Sequence, residues 1–188
     1  MRPIIIFITL LITQQLFAPI LNDNHTELVN EFRKSEIEYN KNKELQRFLH
    51  DLSISESGNN YRKWNSYGFL GKYQFGKTAR KMTGYEHITY RDFIKNPDIW
   101  SPADQETAMM VFIAENQYNL QEIIDKIESG ELVVKIKDKY ITKSGILAGA
   151  HLAGYAGVKR YMKNKKNPKD VFGTSLEDYM YKFSGYDF

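Results

Sequence analysis

Between residues 102 and 127 apolar side chains recur along one side of a helix: Ala108, Val111, Phe112, Leu120, Ile123, Ile124 and Ile127. Ser101 is placed to cap that helix, Pro102 suits its first turn, and Ser129-Gly130 stops it, with a bend expected near Asn116. A stripe of this length is stable only when other elements cover it, so the chain is constrained toward helices packed on helices. The remaining sequence agrees. Residues 26–39 carry Leu28, Val29 and Phe32 at helical spacing with Thr26 as a cap, Asn40-Lys41-Asn42-Lys43 reads as a polar break, and a second helix follows over 45–56. Residues 74–82 and 90–94 read as short helices, 143–152 and 155–163 as a pair parted by Gly154, and 176–183 as the last helix. Only 132–141 alternates like a strand pair, turning near Asp138-Lys139. The expected fold is mainly α with one small β-hairpin and no internal repeat.

With 188 residues, 42% of them hydrophobic and 14% aromatic, the chain can build one sizeable core, which excludes overall disorder. Lys and Arg exceed Asp and Glu by 26 − 23 = 3, too small a surplus for a nucleic-acid-binding protein. There is no cysteine, hence no disulfide and no Cys-based zinc site, and the 4 scattered histidines have no metal-ligand spacing; no metal and no cofactor are expected. Arg2, the apolar run at residues 4–12 and Leu16-Phe17-Ala18 follow the order of a secretory signal. The expected organisation is a signal peptide or anchor over 1–21, a helical extension over 22–44 and the main domain over 45–188. Export to the periplasm, cell envelope or medium follows, with membrane attachment only if the first segment is retained, and a monomer is expected.

The residue that points to chemistry is Glu56. In a helix over 45–56, Leu45, Leu49 and Leu52 form the inward stripe, and Glu56 falls four residues beyond Leu52 on the same face. A carboxylate on an inward face must find partners or keep its proton, and a retained proton is what a general acid needs. Ser57-Gly58-Asn59-Asn60 cannot comfortably continue a helix, so Glu56 should sit at a helix end facing a cleft, before a shaped loop over 57–71. A solvated or capping role is the bland reading of a glutamate at such a place. Aromatics crowd that loop, and core packing is the fate expected of most of them, with Tyr61 and Tyr73 the best candidates for contact with a ligand.

Three segments have a joint character: Glu56-Ser57-Gly58-Asn59-Asn60-Tyr61, Gly71-Lys72-Tyr73-Gln74-Phe75-Gly76, and the small-residue stretch from Ala148 to Val158 containing His151. In order and type they resemble the motifs of the lysozyme-like lytic transglycosylases, a helix ending in the catalytic Glu then Ser, a Gly-x-x-Gln segment, and an Ala-Tyr-Asn-x-Gly segment opening a helix. The resemblance covers roughly residues 45–162. It implies a lysozyme-like helical domain that cleaves the β-1,4 bond between N-acetylmuramic acid and N-acetylglucosamine in peptidoglycan strands and leaves a 1,6-anhydro end. It further implies Glu56 as acid then base, with Ser57, Gln74 and His151 beside Tyr61 and Tyr73 in the substrate cleft. His151 and Leu152 depart from the pattern, standing where Tyr and Asn are usual. Two alternatives stay open. A second carboxylate brought beside Glu56, from among Asp51, Asp92, Asp98, Asp104, Glu106 and Glu115, would permit hydrolysis as in a muramidase or chitinase-like enzyme, and the His151-Leu152 departure favours a glycan-binding wall protein without turnover.

Overall fold

A computed structural model describes the backbone from residue 22 and the side chains from residue 40 to the C-terminus. The expected signal segment over 1–21 and the stripe of Leu28, Val29 and Phe32 lie outside those described residues. The chain divides into two units, Met1–Asn42 and Lys43–Phe188, and the second carries the core and the cleft described below.

Helix α1, Asn22–Ser57, is continuous, so the break expected at Asn40-Lys41-Asn42-Lys43 does not exist. Those four side chains are all exposed. Polar residues without Gly or Pro lower helix propensity by only a few tenths of a kcal/mol each, roughly, and on a solvated face nothing opposes the helix. The short helices α2, Lys77–Met82, and α3, Tyr90–Lys95, follow, then a 3₁₀ turn at Pro97–Ile99. Helix α4, Pro102–Glu128, starts where Ser101 accepts a hydrogen bond from the Asp104 N–H and ends at Ser129, before Gly130 at φ 77°. Strands β1, Lys135–Ile136, and β2, Lys139–Tyr140, pair antiparallel in a minimal hairpin. Helix α5, Lys143–Asn164, is interrupted at Gly154 (φ 69°, ψ 162°), where the sequence places the divide between two helices. Helix α6, Leu176–Phe183, opens with a capping box between Ser175 and Asp178. The architecture is mainly α with one small hairpin.

The core is built from inward faces at helical spacing. Phe48 and Leu52 of α1, Met109, Phe112, Leu120 and Ile124 of α4, Ile146 and Leu147 of α5, and Met180 and Phe183 of α6 are buried together. Val111, counted in the α4 stripe from sequence, is exposed. Helices α5 and α6 approach closely because α5 has glycines at the contact. A Cβ on Gly145 would lie 2.7 Å from the Met180 backbone carbonyl, and one on Gly149 would lie 2.8 Å from Leu176 Cδ1. Close packing holds the end of α1, the middle of α5 and the start of α6 around one opening.

Candidate active site

The loop from Gly58 to Gly76 is shaped mostly by its own backbone. Isolated bridges join Trp64 to Leu70 and Leu70 to Phe75. Gly71 adopts φ 76°, and a Cβ there would strike the Gln105 side chain at 2.3 Å, so only glycine fits. That Gln105 accepts from the Lys72 N–H at 2.8 Å and donates to the Tyr61 carbonyl at 3.0 Å, tying the loop to α4. Ser57, at the end of α1, donates to the Lys72 carbonyl at 2.6 Å. It organises the loop and makes no hydrogen bond with Glu56.

Beside this loop lies a cleft of roughly 620 Å³ whose walls include Glu56, Gln74, His151 and Tyr179. Glu56 reaches it because the stripe of α1 continues to its last turn: Leu49 and Leu52 are buried, and the Glu56 side chain is 16% exposed. The hydroxyl of Tyr179, from α6, donates to Glu56 Oε1. His151 Nε2, from α5, stands 3.5 Å from the same oxygen. Among the described residues no protein donor reaches Oε2. Burial, reinforced by the Glu56 carboxylate, pushes the Tyr179 hydroxyl well above its ordinary value, so it stays a donor throughout the neutral range. The imidazole of His151 packs between Phe75 and Phe112, with ring centroids at 5.8 and 5.5 Å. Its Nδ1 is buried there without a partner. The tautomer with the proton on Nε2 turns a donor toward Glu56 and leaves only a lone pair in the aromatic pocket.

Gln74 belongs to the cleft wall, yet it is outside the helix expected over 74–82, which starts only at Lys77. It is buried with φ 48°, and both amide hydrogens are taken, by Gly71 O at 2.9 Å and Lys63 O at 3.2 Å, while Asn65 Nδ2 donates to its oxygen at 3.0 Å. Only a second lone pair on Oε1 remains for a ligand.

Tyr61 and Tyr73, expected against sugar, do not line the cleft. Both hydroxyls donate to Glu106 of α4 at 2.7 Å, and Lys72 Nζ donates to the same carboxylate at 2.7 Å. Burial pushes Glu106 up, but the hydrogen bonds from Lys72, Tyr61 and Tyr73 together outweigh it and hold the carboxyl below its ordinary value. Tyr73 is pushed far up by burial and then by Glu106. This knot is a clamp between loop and helix, and its partners lie 33 to 45 residues apart, out of reach of local pattern.

None of the acidic residues weighed from sequence as a second carboxylate lines the cleft. Asp51 accepts from Tyr186, Asp98 pairs with Arg62, Asp92 and Asp104 serve helix caps, and Glu106 is in the clamp. Asp170 and Asp178, not considered from sequence, do line it. Asp178 is bound in the capping box of α6, and Asp170 Oδ1 accepts from the N–H groups of Phe172 and Thr174 at 2.8 and 2.9 Å. Tyr179 was missed as well. The inward face of α6 is legible from Leu176, Tyr179, Met180 and Phe183, but no local signal says that its tyrosine meets a carboxylate 123 residues earlier.

Among the described residues no group of His, Asp or Glu is arranged to hold a metal ion, and no helix is long and apolar enough to cross a membrane. No protein-family model, curated protein or solved structure matches the chain, so the geometry of the cleft carries the functional reading.

Proposed function

We propose that the chain is a peptidoglycan-cleaving enzyme of lysozyme-like type, acting as a lytic transglycosylase with Glu56 as its acid and base. The observation that carries this reading is Glu56 itself. It is a largely buried carboxylate at a helix end, on the wall of an oligosaccharide-sized cleft, with Oε1 held by Tyr179 and, among the described residues, no protein donor on Oε2. In the protonated form, Oε2 gives its proton to the glycosidic oxygen as the bond from that oxygen to C1 breaks and positive charge develops on the sugar. The carboxylate then takes the proton of the muramic acid 6-hydroxyl, whose oxygen bonds to C1 and closes the 1,6-anhydro ring. Atoms and charge balance without water. Tyr179 and His151 stabilise the carboxylate that forms after the first step and fix which oxygen faces the substrate.

Hydrolysis is the second reading, favoured by Asp170 and Asp178 on the same wall, since a second carboxylate can activate water. Digestion of purified peptidoglycan followed by mass spectrometry separates the two, because an anhydro end is lighter than a reducing end by one water. Glu56→Gln should lower turnover by roughly 10²–10⁴-fold, the range a positioned acid–base group contributes. Undiminished solubilisation by Glu56→Gln would sink the catalytic reading. Strand binding by a wild-type protein that cuts nothing would identify a glycan-binding wall protein instead.

A further inference from the structure

The cleft is bordered by two turns of the same construction, far apart in sequence. In Asn65-Ser66-Tyr67-Gly68, the Asn65 side-chain oxygen accepts from the N–H groups of Tyr67 and Phe69 at 3.0 and 3.3 Å. Gly68 N–H donates to the Asn65 carbonyl at 3.0 Å and Asn65 N–H to the Phe69 carbonyl at 3.2 Å. In Asp170-Val171-Phe172-Gly173, Asp170 Oδ1 accepts from the N–H groups of Phe172 and Thr174 at 2.8 and 2.9 Å. Gly173 N–H donates to the Asp170 carbonyl at 3.2 Å and Asp170 N–H to the Thr174 carbonyl at 2.9 Å. The fourth residue is a left-handed glycine in both, at φ 85° and 89°. Each turn is thus an Asx-x-aromatic-Gly unit closed by the same four hydrogen bonds.

Each unit presents its aromatic residue to the other. The rings of Tyr67 and Phe172 meet edge to face, with centroids 5.5 Å apart and planes at 86°. This pair is not part of the core, since the two residues are 59% and 66% exposed. Trp64, Asn65 and Phe69 around the first turn line the cleft, and so do Asp170, Phe172 and Thr174 in and after the second. The ring contact therefore joins two loops that both wall the cleft. Buried Arg80 donates from Nη1 to the Gly68 carbonyl at 3.2 Å, tying the first turn to the core beneath it.

We propose that the Tyr67–Phe172 contact is a fixed bridge at the edge of the cleft that determines where a glycan strand is cut, favouring bonds near strand ends over bonds in the middle. The proposal rests on the glycan-cleaving reading above. To place an internal bond at Glu56, an intact strand has to be laid into the cleft from the side, and a bridge between the two walls bars that approach. A free end enters by passing beneath the rings or by stopping against them.

The test is the product pattern on long, uncrosslinked peptidoglycan strands at low conversion, read by chromatography and mass spectrometry. Wild type should release short fragments while the mean strand length falls slowly. The double variant Tyr67→Ala with Phe172→Ala should raise the ratio of internal to terminal cuts by roughly tenfold, a bias within the range that one aromatic pair can impose. Tyr67→Phe, which keeps the ring, should cut as wild type does. The ratio is counted per cut, so a slower variant still gives an answer, and circular dichroism confirms that the variants fold. An unchanged ratio in the double variant, or a wild type that already cuts internally, overturns the bridge while leaving the glycan-cleaving reading intact. A wild type that cuts no strand at all, or a Glu56→Gln protein that cuts as well as wild type, overturns the reading beneath it.

Discussion

Glu56 accepts a hydrogen bond from Tyr179 of α6 and lies 3.5 Å from His151 Nε2 of α5, and those contacts make separable predictions at the level of single residues. Tyr179→Phe removes the hydroxyl from Oε1 while keeping the ring in the core, so turnover should fall by roughly 10–100-fold, the factor for one hydrogen bond to a charged group, with little change in melting temperature. Steady-state rates and a thermal melt on the same preparation check both halves. Asp170→Asn is the complementary test. In the sister turn Asn65 accepts the same pair of backbone N–H groups with an amide oxygen, so the substitution preserves the turn and removes only the charge. If the reaction is lytic, the anhydro product should persist at a rate within a few-fold of wild type, whereas a collapse in rate, roughly 10²-fold or more, would mark Asp170 as the second carboxylate of a hydrolase. At this scale Glu56 was legible from sequence, because the interval to Leu49 and Leu52 is a property of the helix alone. Tyr61 and Tyr73 were misplaced for the opposite reason, since the carboxylate that claims their hydroxyls belongs to α4.

Helix α4 could be read in advance because its ends carry local chemistry, Ser101 before Pro102 and Ser129-Gly130 after its last turn, and the divide in α5 because a glycine stands where a non-helical residue is needed. Gly154 is the sharpest instance. Its φ of 69° with ψ of 162° lies in a region open essentially to glycine alone, and a Cβ there would meet nothing within 4 Å, so Gly154→Ala isolates backbone strain from crowding. The expected cost is about 1–3 kcal/mol in chemical denaturation. The clamp between the loop and α4 makes the second prediction at this scale. Glu106→Ala leaves Lys72 and Tyr73 without their acceptor and should destabilise the protein by about 1–3 kcal/mol, nearer the lower figure because the carboxylate is 38% exposed. The break imagined at residues 40–43 shows the limit of local reading. Polar residues suggest a loop only when nothing else holds the backbone, and a helix continuous on both sides needs no apolar contact there.

For the molecule as a whole, the titrating groups fix a window of stability. Glu106 lies below its ordinary 4.5 in the folded state, so its contribution is complete above that value and is lost as pH falls below it. Tyr186, partly buried and donating to Asp51, is pushed from 10.0 up to about 12. A group raised in the folded state stabilises below its unfolded value and loses that contribution as pH climbs, so stability should fall from about pH 10 toward 12, with Tyr73 and Tyr179 acting in the same direction. Melting temperature against pH should show a plateau between these limits with a fall on either side, and Glu106→Ala should flatten the acid side. Intervals and turn residues, which are local, suffice to set most of the helices, the hairpin, the glycine break in α5 and the inward glutamate at the end of α1. Which groups meet that glutamate, which tyrosines face the cleft, and the meeting of two like turns across it were decided only when segments from 33 to 123 residues apart packed together, because a hydrogen bond or a ring contact depends on distance in space and leaves no period in the chain.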